Sequence, residues 1–442
     1  MTGFAAIILA AGKGTRMKSS LPKVLHPIVH RPMLGHVMAA LGDASATHLY
    51  LVTAPHQDEV RRFADGEGVA LTHCLQETQL GTGDAVKAAL PHCGAHDRLV
   101  IMFGDTPLMR SEVLHELANA PSDLAVLGFE PDNAAAYGRV IVGDDGPQEI
   151  VEFKDADAAT RQITLCNGGA MAISLKALQT CLPLLQNDNA QGEYYLPDLV
   201  RLARENGFSR SLVMAMAEDT MGVDSRAGQA IAEGRMQKRL RARHLANGVT
   251  MQDPDSVFLS HDTIIGENVT LEPNVQINPG VTIGAGSLIR AFSHLEGAQI
   301  GENCQIGPYA RLRPGTIVGA AARIGNFVET KKAVLGEGAK VNHLSYIGDA
   351  ELGAAVNVGA GTITCNYDGF NKHLTKIGDG AFIGSNSSLI APVEIGAGAY
   401  LGSGSAVSKP VPENSLVVTR APVREIAGWA EKFRDKNRKS KD

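Results

Sequence analysis

Aliphatic residues recur at every sixth position through much of the second half of the chain. The spacing runs through five series, and one longer gap precedes the last: Ile265, Leu271, Ile277, Ile283, Ile289 and Leu295; Ile300, Ile306, Leu312, Val318 and Ile324; Leu335, Val341 and Ile347; Leu352 and Val358; Ile377, Ile383, Leu389, Ile395, Leu401 and Val407. This period fits neither an α-helix nor an alternating β-strand. It predicts a solenoid in which three short strands make one triangular coil and the aliphatic side chains stack inside.

The longer gap lies between Val358 and Ile377 and reads GAGTITCNYDGFNKHLTK. A solenoid accommodates an insert only as an excursion from one of its corners, and such loops often carry function. We therefore expect a functional loop in this part of the repeat.

Residues 1 to about 225 have a different pattern, in which strand-like and helix-like segments alternate. The strands are predicted at Ala5–Leu9, His48–Thr53, Val69–His73, Leu99–Phe103 and Leu124–Phe129, and helices at Met33–Leu41 and Asp84–Leu90. Such alternation predicts an α/β domain with a mostly parallel sheet. Ligands of such domains bind beyond the carboxyl ends of the strands.

A long helix is predicted from Ser225 to about Leu245, and its basic residues allow two interpretations. They are Arg235, Lys238, Arg239, Arg241 and Arg243. The helix could bind nucleic acid, or it could be a solvated linker between two domains. The acidic chain as a whole favours the linker. The predicted organisation is a first domain at 1–226, a linker helix at 227–247 and a repeat domain at 248–442.

Composition narrows the class of protein further. A net charge of −6 argues against a nucleic-acid partner. The six cysteines form no C-x-x-C pair, which indicates a reducing compartment without disulfides or structural zinc. The apolar start FAAIILAA is too short for a membrane span or a signal peptide. We expect a cytoplasmic protein that is not inserted into a membrane.

The loop after the first predicted strand is rich in glycine and positive charge. It reads LAAGKGTRM, from Leu9 to Met17, and LPKVL follows. It is not G-x-G-x-x-G, because Met17 stands at the third glycine position, but Gly12 and Gly14 permit close approach of a phosphate. The two segments together resemble those of the sugar-nucleotide pyrophosphorylases, which join a sugar 1-phosphate to a nucleoside triphosphate.

This resemblance continues through QLGTGDA, FGDTPL, YGRV, IVEFKDA, LCNGGA, QGEYYLPD and GVDSR. It implies a Rossmann-like nucleotidyltransferase domain with Arg16 and Lys23 as catalytic cations and Mg²⁺ held by Asp105 and Asp224. By itself, a strand-end Asp such as Asp105 would be a turn residue or a helix cap. The implied UDP-sugar-binding positions are Leu9, Ala10, Ala11, Gly12, Lys23, Gln76, Gly81, Thr82, Phe103, Gly104, Asp105, Gly138, Glu152, Asn167 and Asp224. Relatives carry Asn at position 224 and tend to carry Tyr at 103.

The repeat resembles the left-handed parallel β-helix of the hexapeptide acyltransferases. Both halves together resemble the bifunctional N-acetylglucosamine-1-phosphate uridyltransferases and glucosamine-1-phosphate N-acetyltransferases of bacterial cell-wall precursor synthesis. This family implies a homotrimer that uses acetyl-CoA and UTP as co-substrates. The product is UDP-N-acetylglucosamine.

The acetyltransferase site implied by this resemblance needs a base, because the substrate amine is mostly protonated at neutral pH. His343 is the natural base, and Glu329 is expected to orient it. Glucosamine 1-phosphate would be bound by Arg313, Lys331, Tyr346, Asn357 and Lys372. Acetyl-CoA would be bound by Ala360, Asn366, Tyr367, Ser385, Ser403 and Arg420, with Ser403 in place of a usual Ala.

Two other classes of function remain open from the residues. One is a single-activity nucleotidyltransferase whose β-helix only regulates or oligomerises. The other is a non-catalytic assembly module of similar architecture. His343 and the NYDG insert argue against the first, and the glycine loop with Lys23 and Asp105 argues against the second.

Overall fold

The computed structural model describes residues 3–134, 136–419 and 422–438. The chain divides into two compact units, Met1–Leu240 and Arg241–Asp442. The division falls within a helix at 226–246. The domain limits given above, 1–226, 227–247 and 248–442, stay a prediction.

The first unit alternates strands and helices. Its strands are β1 Phe4–Leu9, β2 Pro27–Ile28, β3 Arg31–Pro32, β4 Ala46–Thr53, β5 Leu71–Leu75, β6 Arg98–Phe103, β7 Leu124–Phe129, β8 Arg139–Gly143, β9 Gly146–Val151, β10 Cys166–Ser174 and β11 Arg210–Met214. Its α-helices are α1 Met33–Asp43, α2 Asp58–Gly66, α3 Thr82–Ala89, α4 Ser111–Ala118, α5 Leu175–Cys181, α6 Asp198–Glu205 and α7 Arg226–Ala246, which continues into the second unit. Short 3₁₀ turns lie at Thr15–Met17, Lys23–Leu25, Leu90–His92, Thr160–Gln162 and Leu182–Leu184. The predicted strands and helices are all present, with ends that differ by a few residues.

The central sheet has the order β11-β7-β10-β6-β1-β4-β5. Strand β1 pairs in parallel with β4 and β6, and β4 pairs in parallel with β5. All six residues of β1 are buried, as expected for a continuous apolar strand whose two faces are both covered. Strand β10 runs antiparallel to both β6 and β7, so the sheet is mixed rather than parallel throughout.

The first two loops of the predicted site emerge side by side. Leu9 at the end of β1 pairs with Phe103 at the end of β6, and Gly104 N donates to Leu9 O over 2.9 Å. Since β1 and β6 are parallel, the glycine loop and the segment that carries Asp105 leave the same edge of the sheet.

Helix α7 packs against the first unit along its amino-terminal part. Val29 N donates to Glu233 Oε2 over 2.7 Å, and Gln229 Nε2 donates to Pro27 O over 2.8 Å. Arg239 forms an ion pair with Asp219. The expectation of a helix that is simply solvated is therefore wrong for this part, and part of its basic charge is used in internal ion pairs.

The second unit is a run of short parallel strands. They are β12 Thr250–Met251, β13 Ile264–Ile265, β14 Thr270–Leu271, β15 Gln276–Ile277, β16 Thr282–Ile283, β17 Leu288–Ile289, β18 His294–Leu295, β19 Ala298–Ile300, β20 Gln305–Ile306, β21 Arg311–Leu312, β22 Thr316–Val318, β23 Arg323–Asn326, β24 Glu329–Leu335, β25 Lys340–His343, β26 Tyr346–Leu352, β27 Asn357–Val358, β28 Ile363–Cys365, β29 Thr375–Ile377, β30 Phe382–Ile383, β31 Ser388–Ile390, β32 Val393–Ile395, β33 Tyr400–Leu401, β34 Ala406–Val407 and β35 Leu416–Val417. A 3₁₀ turn at Pro254–Ser256 precedes β13, and helix α8 covers Trp429–Asn437.

These strands stack into three parallel ladders, one for each face of a coil. One ladder runs β12-β14-β17-β20-β23-β25-β27-β30-β33-β35, and the other faces are built in the same way. Each strand pairs with the strand one coil later, as Gln276 does with His294. The aliphatic residues of the six-residue period are all buried, which confirms the predicted solenoid.

The insert leaves the ladder later than its sequence indicates. Ile363 in β28 still pairs with Tyr346 one coil before it and with Ser388 one coil after it. The ladder resumes at Thr375 in β29. The excursion is therefore confined to residues 366–374, at the corner between two faces.

None of the helices in the described part of the chain combines the length and the apolar character needed to cross a membrane.

Candidate active sites

Two adjoining clefts of about 370 and 400 Å³ open at the carboxyl edge of the first unit's sheet. Such volumes suit small-molecule ligands. Among the predicted residues, the first cleft is lined by Leu9, Ala10, Ala11, Gly12, Lys23, Gln76, Gly81, Thr82, Phe103 and Asp105. The second is lined by Lys23, Thr82, Phe103, Asp105, Gly138, Glu152 and Asn167. Lys23, Thr82, Phe103 and Asp105 thus face both clefts.

The glycine loop closes over Lys23 because of Gly14. Its φ is +60°, and a Cβ there would lie 2.7 Å from Lys23 Cβ. Glycine therefore permits both the left-handed backbone and the close approach. Lys23 Nζ forms an ion pair with the Asp105 carboxylate, and Arg16 Nη1 lies 2.6 Å from Asp224 Oδ2.

The two predicted metal ligands belong to neighbouring loops. Val223 N donates to Asp105 O over 2.9 Å, which joins the loop before α7 to the loop after β6. Within the described residues, no three or more His, Cys, Asp or Glu side chains are grouped for a metal ion. Mg²⁺ commonly needs only one or two protein carboxylates, because substrate phosphates and water complete its shell. Asp105 and Asp224 therefore fit that ion.

Gln76, in the first cleft, is held by two hydrogen bonds that its own amide group donates. Its Nε2 donates to Gly81 O over 3.0 Å and to Asp84 Oδ2 over 2.8 Å. Since the amide N–H groups go to protein acceptors, the side chain offers a ligand its carbonyl oxygen. Gly81 has φ +114°, and a Cβ there would lie 2.6 Å from Tyr194 O, so only glycine fits.

The second cleft contains the partly buried carboxyl group of Glu152. Burial raises the pKa of Glu152, and the charges of Asp155 and Asp198 add to the effect. Asn167 N donates to Gly138 O over 2.9 Å, and Asn167 Oδ1 accepts from Gly169 N over 3.1 Å. The backbone thus holds Gly138, directly before β8, next to Asn167 in β10.

In the second unit, His343 stands exposed at a corner of the β-helix, at the end of β25. Its Nδ1 lies 2.7 Å from Asn326 Oδ1, the residue paired with it one coil earlier. Glu329 instead forms ion pairs with Arg313 at 2.9 Å and Arg311 at 3.8 Å. The expectation that Glu329 orients His343 is therefore wrong in this structure, because Asn326 occupies the ring nitrogen.

The predicted sugar-phosphate residues are distributed over one face and its borders. Lys331 in β24 and Tyr346 in β26 belong to paired strands on the face after the His343 corner, and Arg313 directly follows β21, which pairs with β24. Lys331 Nζ lies 3.6 Å from Asp349 Oδ2. Asn357 lies on the preceding face, in β27. Lys372 lies in the excursion, and its Nζ is 3.9 Å from the centre of the Tyr367 ring.

Three of the six predicted acetyl-CoA residues form one column with His343. The backbone hydrogen bonds Gly361 N to His343 O, Asn386 N to Ala360 O and Gly404 N to Ser385 O link successive corners at 3.3, 2.7 and 2.7 Å. His343, Ala360, Ser385 and Ser403 therefore follow one another along the axis of the β-helix. At about 4.8 Å between neighbouring strands, this column extends roughly 14 Å from His343 to Ser403.

The excursion at 366–374 is tied together by Asp368. Its Oδ1 accepts from Asn371 N over 2.6 Å and from Phe370 N over 2.8 Å, and its Oδ2 lies 2.7 Å from His373 Nε2. These bonds, that of Asn371 N first, hold the pKa of Asp368 well below its usual range. Asn366 is bonded to Asp349 on the adjacent face. The predicted Arg420 lies outside the described residues.

Comparisons with known proteins agree with this division. The MobA-like NTP transferase domain matches residues 6–150, and the bacterial transferase hexapeptide repeat matches 262–297, 297–332 and 374–409. The bifunctional protein GlmU of Parvibaculum lavamentivorans is 54% identical over 99% of this chain and 97% of its own length. Those of Rhodospirillum rubrum and a Ruegeria species are 50% and 49% identical, over 98% and 99% of this chain and 98% of their own lengths.

The chain belongs to the GlmU family. This membership confirms the predicted fold class, a Rossmann-like nucleotidyltransferase domain followed by a left-handed parallel β-helix. It also confirms a bifunctional enzyme with uridyltransferase and acetyltransferase activities, which takes a nucleotide and acetyl-CoA as substrates.

For this GlmU family member, the sequence analysis missed several residues at both sites. Asn326 lies one coil before His343, and Asp349 contacts both Lys331 and Asn366. The coil length between paired residues could have indicated Asn326. Glu193 and Tyr195 line the second cleft of the first unit and belong to QGEYYLPD, a segment that the resemblance includes without a role for these two residues.

Proposed function

We propose that this protein acetylates glucosamine 1-phosphate with acetyl-CoA and then transfers UMP from UTP to the product, giving UDP-N-acetylglucosamine and pyrophosphate. The observation that carries the proposal is that each unit of one chain brings its own predicted set of residues together. The adjoining clefts do so around Lys23 and Asp105. In the second unit, Ala360, Ser385 and Ser403 follow His343 along the axis of the β-helix.

In the uridyltransferase reaction, the uridine would occupy the first cleft and the sugar the second. A phosphate oxygen of N-acetylglucosamine 1-phosphate bonds to the α-phosphorus of UTP, and the bond to the β-phosphate oxygen breaks. Since Lys23 faces both clefts, it can contact the phosphates where they meet. Lys23 and Arg16 stabilise the charge that develops there. Mg²⁺ held by Asp105 and Asp224 would neutralise the triphosphate.

The preference for uracil follows from how Gln76 is held. Gly81 and Asp84 accept its amide hydrogens, so its carbonyl oxygen faces a ligand as an acceptor. Uracil has an N–H donor at N3, whereas cytosine has an acceptor there. A fixed acceptor therefore favours UTP over CTP.

In the acetyltransferase reaction, His343 acts as the base. Its Nδ1–H donates to Asn326 Oδ1, which leaves the Nε2 lone pair free to take a proton from the substrate ammonium group. The neutral amine then attacks the thioester carbonyl, and the CoA thiolate leaves and is protonated. Arg313 and Lys331 bind the sugar phosphate in exchange for their present carboxylate partners.

Acetyl-CoA would extend along the column at Ala360, Ser385 and Ser403, with its thioester near His343. An extended cofactor matches an extended row of corner residues. Asn366 and Tyr367, at the start of the excursion, add contacts from the neighbouring corner. Arg420 is proposed to bind the same ligand.

The uridyltransferase assignment predicts a specific metal dependence for Asp224→Asn. We expect this variant to retain uridyl transfer but to need about tenfold more Mg²⁺ for half-maximal rate, because a carboxylate binds a hard cation better than an amide does. The test is a Mg²⁺ titration of the initial rate for wild type and variant. Superimposable curves would remove Asp224 from the metal site.

We propose that the working protein is a homotrimer in the cytoplasm, where UTP and acetyl-CoA are available. His343 is exposed on the surface of a single chain, so a neighbouring chain could complete its site. Multi-angle light scattering is expected to give three times the chain mass. A monomer that is fully active in acetyl transfer would contradict this proposal.

One assay separates the proposed function from its alternatives. Purified protein is incubated with acetyl-CoA and glucosamine 1-phosphate, with and without UTP, and the products are identified by mass spectrometry. We expect N-acetylglucosamine 1-phosphate without UTP and UDP-N-acetylglucosamine with it. Uridyl transfer alone, from supplied N-acetylglucosamine 1-phosphate, would indicate a single-activity enzyme, and neither product would indicate an assembly module.

A further inference from the structure

Arg239 on helix α7 contacts two loops of the first unit at once. Its Nη1 donates to Leu108 O over 2.5 Å, and its Nη2 donates to Asp219 Oδ1 over 2.5 Å. Leu108 lies in the loop after β6, which also carries Asp105. Asp219 lies in the loop between β11 and α7, which also carries Asp224.

The contact with Asp219 is shielded from water. The Asp219 side chain is only 2% exposed, and that of Arg239 is 24% exposed. A second cation, Arg110, places its Nε 3.1 Å from Asp219 Oδ2. A carboxylate buried to this extent requires cationic partners. The loop is therefore held at Asp219 by the two arginines.

This loop contributes directly to the uridyltransferase site. Thr220 and Gly222 line the second cleft, and Val223 N donates to Asp105 O over 2.9 Å. Arg235, one helical turn before Arg239, adds a bond from its Nη1 to Glu218 O at 3.5 Å. Helix α7 thus bonds to this loop at two positions, Glu218 and Asp219.

We propose that Arg239 is a positioning residue that sets the relative placement of Asp105 and Asp224 by bonding to both of their loops. The planar guanidinium is suited to this because its two terminal nitrogens bond to different acceptors in one fixed geometry. A lysine ammonium keeps the charge but lacks that fork. The inference rests on the proposed function, in which the two carboxylates hold Mg²⁺.

The test compares Arg239→Met with Lys238→Met, which removes the same charge from the neighbouring, exposed position on the helix. Metal binding without turnover is followed by electron paramagnetic resonance during titration of the full-length protein with Mn²⁺. The Mg²⁺ dependence of uridyl transfer and the rate of acetyl transfer are measured in parallel. Thermal unfolding is recorded for each variant.

We expect Arg239→Met to weaken Mn²⁺ binding and to raise the half-saturating Mg²⁺ concentration by about tenfold, the effect typical of removing a group that orients metal ligands. Acetyl transfer should not change. Lys238→Met should match wild type in every measurement. Arg239→Lys, which keeps the charge but not the fork, should fall between wild type and Arg239→Met.

If Arg239→Met is less stable than wild type but its Mn²⁺ and Mg²⁺ titration curves are unchanged, the inference is overturned. Arg239 then has a structural role only. If Arg239→Met does not fold, Arg239→Lys decides, and wild-type metal curves in that variant would overturn the inference. Wild-type protein with no Mg²⁺-dependent uridyl transfer would instead refute the proposed function, so the two failures are distinguishable.

Discussion

Asp105→Ala is expected to lower uridyl transfer by about 10³-fold or more while acetyl transfer persists. The substitution removes a proposed Mg²⁺ ligand and the ion-pair partner of Lys23, where both clefts meet. A metal ion stabilises transition-state charge by several kcal/mol, and about 4 kcal/mol corresponds to roughly 10³ in rate. Both half-reactions would be assayed separately with supplied substrates.

Asp97→Ala provides a matched control for this variant. Asp97 is exposed and precedes β6, whereas Asp105 follows the same strand. Its loss should change neither activity. Near-normal uridyl transfer in Asp105→Ala would reduce Asp105 to a turn residue or a helix cap.

His343→Ala is expected to lower acetyl transfer by about 10²–10⁴-fold, the usual contribution of a general base. Uridyl transfer from supplied N-acetylglucosamine 1-phosphate should persist, because the proposed sites lie in different units and share no group. Both rates are measured with saturating substrates, after the oligomeric state of the variant has been checked.

A second histidine on a strand of the β-helix provides a control for this variant. His294 also lies on a strand of the repeat, and its Nε2 is 3.3 Å from Asn278 Nδ2. His294→Ala should keep both activities. If His343→Ala behaves in the same way, His343 is a repeat-surface histidine and the base lies elsewhere. If His343→Ala loses both activities in an intact oligomer, the reading of two independent sites is wrong.

Local sequence accounts for much of the fold. The apolar run of β1 predicts a buried central strand because every side chain of that strand must avoid water, and all six are buried. The direction of β10 could not be predicted in this way. Only its pairing with β6 and β7 decides that it runs antiparallel.

The sequence likewise predicts some features of the candidate sites and not others. Motifs that are short and contiguous, such as the glycine loop or QLGTGDA, mark their cleft because neighbouring residues in sequence stay neighbours in space. The resemblance implies Glu329 as the residue that orients His343. The structure pairs the ring with Asn326, since the coil length places that residue directly opposite it.

Repeating or contiguous features could be predicted from the sequence alone. They are the solenoid with its buried aliphatic columns, the strand-loop-helix start and the presence of two kinds of site. Each is encoded within a few residues or in a fixed period. Only the tertiary structure decided the exit point of the excursion, the column from His343 to Ser403 and the bonds of Arg239 to two loops. These depend on which coil or loop stacks against which. Such stacking is set by the packing of residues far apart in the chain, which no local pattern records.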